Sequence, residues 1–291
     1  MWGGSLAAER RAGWGLGDDV KYSQNPLPSA PPQGGREQAE FGRTLMPSIL
    51  TLEKISKRFG AVVVADNIDL TVLRGEALGV IGPNGAGKTT LFGIITGTVA
   101  PDAGRVVFEG HDVTRMKPEH RCRLGLARSF QIPQPFGGMT VFENLVVAAA
   151  FGGGRSERDV YASCAGLLER CGLAGKANRR AGSLTLLDRK RLELARALAT
   201  GPRVLLLDEV AGGLVEHETA ALVDLINDVR ATGISIVWIE HVVHALIAVV
   251  DRLVVLHGGV LIAEGDPTEV IRRPQVSEIY MGIEEGIETN A

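Results

Sequence analysis

From residue 48 onward, short apolar runs alternate with turn signals, and the spacing of apolar positions predicts where strands give way to helices. Residues 50–54, 68–73, 77–81 and 105–109 read as strands, the last entered through the turn Pro101-Asp-Ala-Gly104. Residues 115–186 change character and become helical, rich in Arg, Ala and Leu. Their clearest helices are 141–150 and 160–171, on either side of Gly152-Gly-Gly154. Strand and helix then alternate again: helix 186–200 stopped by Gly201-Pro202, strand 204–207, helix 219–231 ended near Gly233, and strand 234–239. Continuous apolar strands between helices imply a mostly parallel sheet covered on both faces. The expected fold class is therefore α/β, with a mostly helical insertion between its early and late strands.

The first 45 residues follow no such pattern. Pro26, Pro28, Pro31 and Pro32 cluster with Gly, Ser and Gln, which predicts a disordered extension over residues 1–47. Arg10-Arg11 is followed by Ala-Gly-Trp-Gly-Leu-Gly-Asp-Asp rather than an apolar core, which argues against a twin-arginine export signal. We expect Met46 to be the true start, a folded domain over 48–283 with its helical part at about 115–186, and a flexible tail at 284–291. No apolar stretch reaches the roughly 18 residues that span a bilayer. The best candidate, 242–256, is broken by His244, Asp251 and Arg252. If the protein serves a membrane process, another subunit does the spanning.

Composition narrows the chemistry only a little. The 291 residues are 45% hydrophobic with a net charge of −3, which gives no reason to expect a nucleic-acid partner. Cys122, Cys164 and Cys171 are odd in number and lack metal-ligand spacing, so free thiols in a reducing environment are expected.

Specific chemistry begins at Gly82-Pro83-Asn84-Gly85-Ala86-Gly87-Lys88-Thr89, a complete G-x-x-x-x-G-K-[ST] loop followed by Thr90. It lies between a buried strand and a helix, the context that such a phosphate-binding loop requires. Its glycines let successive N–H groups point at phosphate oxygens, and the helix dipole adds to the attraction. Lys88 is expected to reach the β- and γ-phosphates and the Thr89 hydroxyl to hold Mg²⁺. A second element, Leu205-Leu-Leu-Asp208-Glu209, ends an apolar strand on two carboxylates, at the sheet edge where ligands of open α/β sheets bind. Asp208 is placed to hold the metal, and Glu209 to orient or deprotonate an attacking water. His241, at the tip of the later strand Ile236-Val-Trp-Ile-Glu-His, reads from its residues alone either as structural or as a partner of the γ-phosphate. Phe59 likewise reads either as a core aromatic or as a stacking ring.

Taken together, residues 48–283 resemble the nucleotide-binding subunit of an ABC transporter. That resemblance implies a P-loop NTPase fold with an antiparallel β subdomain and a helical insertion subdomain, and ATP with Mg²⁺ as ligands. Phe59, 23 residues before Gly82, matches the aromatic that stacks on adenine. Gln131 matches the glutamine that touches Mg²⁺ and senses the membrane subunit. Asp208, Glu209 and His241 match the metal-binding aspartate, catalytic glutamate and switch histidine. Lys57-Arg-Phe-Gly60, Ala127-Arg-Ser-Phe-Gln131, Met139-Thr-Val-Phe-Glu-Asn-Leu145 and Glu278-Ile-Tyr-Met-Gly282 resemble the branched-chain amino-acid branch, LivG type. Lipopolysaccharide-export ATPases are similar through much of this region. The implied partners are membrane permease subunits, docked near Gln131 with Pro133 to Phe136 lining the groove, and indirectly a periplasmic binding protein. The implied place is the cytoplasmic face of the inner membrane.

Two departures from the family stand out. Where it carries Leu-Ser-Gly-Gly-Gln, this chain reads Leu184-Thr-Leu-Leu-Asp188. Thr185 keeps a capping hydroxyl, and Asp188 is expected to complete a capping box while bringing negative charge toward a triphosphate. Val215 replaces the D-loop aspartate. In this family each ATP lies between one subunit's phosphate loop and the other's signature. A related second ATPase subunit, forming a heterodimer with unequal sites, is therefore expected. A regulatory or scaffolding subunit with weak ATPase activity is the alternative from a different functional class.

Overall fold

The computed structural model describes residues 47–279, all within one compact unit. Expectations for residues 1–46 and for the tail beyond 279 lie outside the described residues. A first sheet has the order β2-β1-β4-β5 and is antiparallel, built from β1 (Ser48–Phe59), β2 (Val62–Leu73), β4 (Ala103–Phe108) and the short β5 (His111–Asp112). The second sheet contains β3 (Ala77–Ile81), β6 (Leu126–Arg128), β7 (Val204–Asp208), β8 (Ser235–Ile239), β9 (Arg252–His257) and β10 (Val260–Gly265). Its order is β10-β9-β3-β8-β7-β6, parallel throughout except where β10 folds back on β9.

Strands β3, β7 and β8 are buried at every residue, so both faces of the sheet must be covered. Alternate residues serve two cores. Leu78, Val80, Leu206, Val237 and Ile239 face the cluster shared with helix α1 (Lys88–Thr96) and the antiparallel sheet. Ala77, Ile81, Leu205, Leu207, Ile236 and Trp238 face the other cluster. That second core is filled by α5 (Leu186–Ala199), α6 (Glu216–Arg230) and α7 (Val243–Ile247), together with α3 (Val141–Val147) and α4 (Glu157–Arg170) of the helical region. Helix α8 (Pro267–Ile271) closes behind β10 and contributes Val270 to it.

The predicted elements are present, with boundaries shifted for identifiable reasons. The first two strands run further than expected because their paired ends, at Phe59 and Val62, are exposed on both faces and lose the alternation that marks a strand. Ala103 and Gly104, expected in a turn, already belong to β4, where Ala103 pairs with Ser56. The helix expected over 141–150 ends at Val147 and continues as a single π-helical turn over Ala148–Gly152. The apolar stretch 242–256 divides into α7 and β9. No helix among the described residues is long and apolar enough to cross a membrane.

One side chain fastens the far end of α1. Arg121, buried in α2 (Pro118–Leu124), donates to the carbonyls of Ile94 at 2.7 Å, Ile95 at 2.8 Å, Met116 at 3.0 Å and Thr114 at 2.8 Å. The last carbonyls of a helix have no intrahelical donors, and here a guanidinium supplies them.

Candidate functional site

Strand β3 delivers the chain into residues 82–87, and α1 begins at Lys88. Two glycines here are sterically required. A Cβ on Gly82 would fall 2.1 Å from the Leu256 carbonyl oxygen, and one on Gly87, at φ 102°, would fall 2.2 Å from that of Val64. The loop therefore lies flush against β9 and β2. Its N–H groups and the first turn of α1 form the anion-facing end of a helix that has no side-chain cap. Lys88 is buried and donates to the Gly82 and Pro83 carbonyls at 2.7 and 3.1 Å. Burial lowers its pKa, opposed by the negative charges of Glu209 and Asp208. Ala86 is buried; Asn84 and Thr89 are exposed and Thr90 half-buried.

Phe59 is 52% exposed, so the core reading of this ring is overturned. It closes the β1–β2 hairpin opposite Val62, two residues from the Val64 carbonyl that abuts Gly87. Lys57 Nζ lies 5.2 Å from its centroid. The ring is thus an open apolar platform on the hairpin that borders the phosphate loop.

At the tip of β7 three expected residues come together. Glu209 accepts a short hydrogen bond from Gln131 Nε2 on one carboxylate oxygen, and its other oxygen lies 3.0 Å from His241 Nε2. Its backbone is held at φ 46°, with its N–H donating to the Ile239 carbonyl at 2.8 Å. Asp208 is 3% exposed, and its Oδ2 meets Arg128 at 2.5 Å. The Asp208 Oδ1 atom is buried without a partner, an orphaned acceptor that fits a metal or its water.

Three further residues support this tip, none singled out by sequence pattern. Arg128 is the Asp208 partner. Glu240, 1% exposed, accepts from Ala211 N at 2.9 Å, His241 N at 3.0 Å and Val242 N at 3.4 Å. It thereby ties the loop after β8 to the loop after β7. Lys190 of α5 is buried beside it and donates to the Glu209 carbonyl at 3.4 Å. Burial lowers the Lys190 pKa, while Glu240 and Glu209 hold it up.

The altered Leu184–Asp188 element is a well-formed helix start. Thr185 Oγ1 accepts from Asp188 N at 3.3 Å, and the Asp188 carboxylate accepts from Thr185 Oγ1 at 3.0 Å and Lys176 Nζ at 2.5 Å. The expected capping box is therefore only half present, because Asp188 is drawn to Lys176 instead of the Thr185 N–H. The charge expected to face a triphosphate is buried and neutralised within the chain. No hydrogen bond among the described residues links Thr185 to the phosphate loop. At the next departure, Glu218 accepts from Val215 N at 3.2 Å, while the valine offers no acceptor in return.

A groove of about 450 Å³ is lined by Arg128, the partner of Asp208, with Phe130, Ala148, Glu193, Arg196 and Thr200 among others. Phe130 lines this groove, and the segment expected to face a permease, Pro133 to Phe136, adjoins it through Arg196. Arg196, on the groove wall, lies 5.1 Å from the Phe136 ring and donates to the Gln134 carbonyl at 3.1 Å.

Comparison with known proteins agrees with this architecture. The family described as ABC transporter matches residues 65–212. The high-affinity branched-chain amino acid transport ATP-binding protein LivG of Salmonella typhimurium is 35% identical over 249 residues, covering 80% of this chain and 98% of that protein. The corresponding BraF protein of Pseudomonas aeruginosa is also 35% identical, with the same coverage. A nucleotide-free ATP-binding cassette of an ABC transporter superposes with a TM-score of 0.75 at 33% identity, over 80% of this chain and 99% of that one. An ADP-bound cassette of an ABC transporter superposes equally well, with a TM-score of 0.75 at 33% identity, over 81% of this chain and 99% of that one. The chain belongs to the ABC transporter ATP-binding family. Within it, the chain is homologous to the ATP-binding proteins of branched-chain amino acid transport, and it is an ABC-type ATPase.

Proposed function

We propose that this chain hydrolyses ATP at the site formed by residues 82–90, Asp208, Glu209, Gln131 and His241, and so drives a separate membrane permease. The observation that carries this reading is the Glu209 carboxylate held between Gln131 and His241 beside a complete phosphate loop. The Gly82–Thr90 backbone and Lys88 would cradle the phosphates, and Phe59 would stack on the base. Thr89, Gln131 and Asp208 fit a magnesium ion, which when bound supplies charge neutralisation at the phosphate oxygens.

Glu209 accepts the proton as water oxygen bonds to the γ-phosphorus and the bond to the β-phosphate oxygen breaks. For that, one Glu209 oxygen must face the water, so the exposed Gln131 amide must swing off the carboxylate. His241 keeps the other oxygen fixed. Glu209→Gln removes the proton acceptor but leaves the phosphate loop untouched. Its ATPase rate in the assembled transporter is expected to fall at least about 100-fold with ATP affinity retained, since general-base contributions are typically 10²–10⁴-fold. Full transport with this variant would point instead to the regulatory or scaffolding role that the altered Leu184–Asp188 element and Val215 favour.

The permease is the proposed partner, docking near the exposed Gln131 with Pro133 to Phe136 beside it. Branched-chain or other hydrophobic amino acids, or related amides, are the proposed cargo, by likeness to the relatives named above. A second ATPase subunit and a periplasmic binding protein complete the proposed assembly, at the cytoplasmic face of the inner membrane. The ATPase domain is assigned to residues 48–283, with its helical subdomain at about 115–186.

A further inference from the structure

Asp208 is a buried carboxylate whose charge is balanced from an unexpected direction. Lys88, although close, aims its ammonium at the Gly82 and Pro83 carbonyls. The ion pair to Asp208 comes from Arg128, the last residue of β6, across 80 residues of sequence. A buried carboxylate stripped of its counter-ion is strongly destabilising, so the metal-free protein needs Arg128 at that position. The guanidinium is wedged between two rings, 5.5 Å from Phe92 of α1 and 5.3 Å from Phe130. Its Nε is buried and unpartnered, so Asp208 is the one hydrogen-bond acceptor it has among the described residues. Phe130 is half exposed and lines the groove, as does Arg128. One side chain therefore spans from the groove wall to the aspartate.

We propose that Arg128 is a positioning residue, a resident counter-ion that must cede Asp208 to the metal and so couples metal occupancy to the groove wall. The proposal rests on Asp208 being the metal-holding group. A guanidinium and a divalent cation at one carboxylate repel each other, so each weakens the other's hold. As Asp208 turns to the metal, Arg128 keeps only its ring contacts, and its position is then set by Phe92 and Phe130. Linkage makes the effect reciprocal: whatever pins Phe130 in the groove alters metal affinity by the same factor.

The test is calorimetric ATP binding to the full-length chain, with Mg²⁺ and with a chelator, read as the ratio of the two affinities. Arg128→Met removes the competing charge while filling similar space. It is expected to raise the magnesium-dependent gain, the ratio of the two affinities, about fivefold. Arg128→Lys keeps a charge without the planar fork, and its ratio should lie between the two. Phe130→Ala removes one of the two ring contacts that hold Arg128 once it has ceded Asp208, and should lower the ratio. In Asp208→Asn the gain should fall, and adding Arg128→Met should change nothing further.

A wild-type ratio in Arg128→Met, with the gain lost in Asp208→Asn, makes the pair merely structural and refutes the proposal while the site reading stands. A wild-type ratio in Phe130→Ala refutes the coupling to the groove. Should Asp208→Asn keep the wild-type gain, the site reading fails and the proposal falls with it. If Arg128→Met does not fold, Arg128→Lys decides, and no increase over wild type overturns the proposal.

Discussion

Glu209 adopts φ 46°, a left-handed conformation that costs a non-glycine residue roughly 1–2 kcal/mol. The strain is held from both sides, by the Ile239 carbonyl on its N–H and by Lys190 on its own carbonyl. It turns the carboxylate off the strand axis, to where Gln131 and His241 meet it. The cysteines offer an independent check on the interior. Burial pushes the Cys171 thiol up to about 12 and raises those of Cys164 and Cys122. Cys122, the one among them that is not fully buried, should react slowly with a thiol-specific alkylator at neutral pH, and the other two only after unfolding. Mass mapping of labelled sites would contradict the packing if Cys171 reacted first. At this scale, local motifs were legible. Residues 82–90 act through their own backbone, and Asp208 and Glu209 end a recognisable strand. Arg128, Glu240 and Lys190 were not legible, because they meet their partners across 80, 29 and 19 residues.

Among elements, α1 matters most, because the phosphate loop opens it. Its Ile95 carbonyl depends on Arg121, which crosses from α2 and shares the Ile94 carbonyl with the Gly97 N–H, and Gly97 at φ 83° ends the helix against that guanidinium. Arg121→Met would leave buried acceptors unpaired at an expected cost of about 3 kcal/mol. For a domain of this size that lowers Tm by roughly 6–12 °C. A thermal-denaturation shift within 2 °C or so would show that water replaces the guanidinium without penalty. Nothing in the spacing of Arg121 announces this duty, since an arginine in a short amphipathic helix ordinarily faces solvent. Helix α6 was foreseeable for the opposite reason: its Leu222, Leu225, Ile226 and Val229 fall on one face, and that face is the buried one.

At the scale of the whole molecule, the altered helix start of α5 is internally complete. Lys176 neutralises Asp188, Thr185 caps the helix, and Leu186 is left 45% exposed, beside Gly213. Such a surface offers a facing triphosphate fewer close backbone approaches than glycines would. In a complex with a second ATPase subunit, removing the catalytic glutamate from each chain in turn should therefore have unequal effects. The larger loss is expected from Glu209→Gln in this chain, whose phosphate loop faces the partner's element. Equal losses in single-turnover hydrolysis would argue for equivalent sites.

The alternation of β7 between two cores has its own implication. Leu206 bears on one core, and Leu205 and Leu207 on the other, with Asp208 and Glu209 cantilevered just beyond. The acidic tip thus behaves like a pointer on a beam gripped by opposed bearings. Loosening either bearing shifts the same pointer, so distant repacking on either face of the sheet should register at the carboxylates.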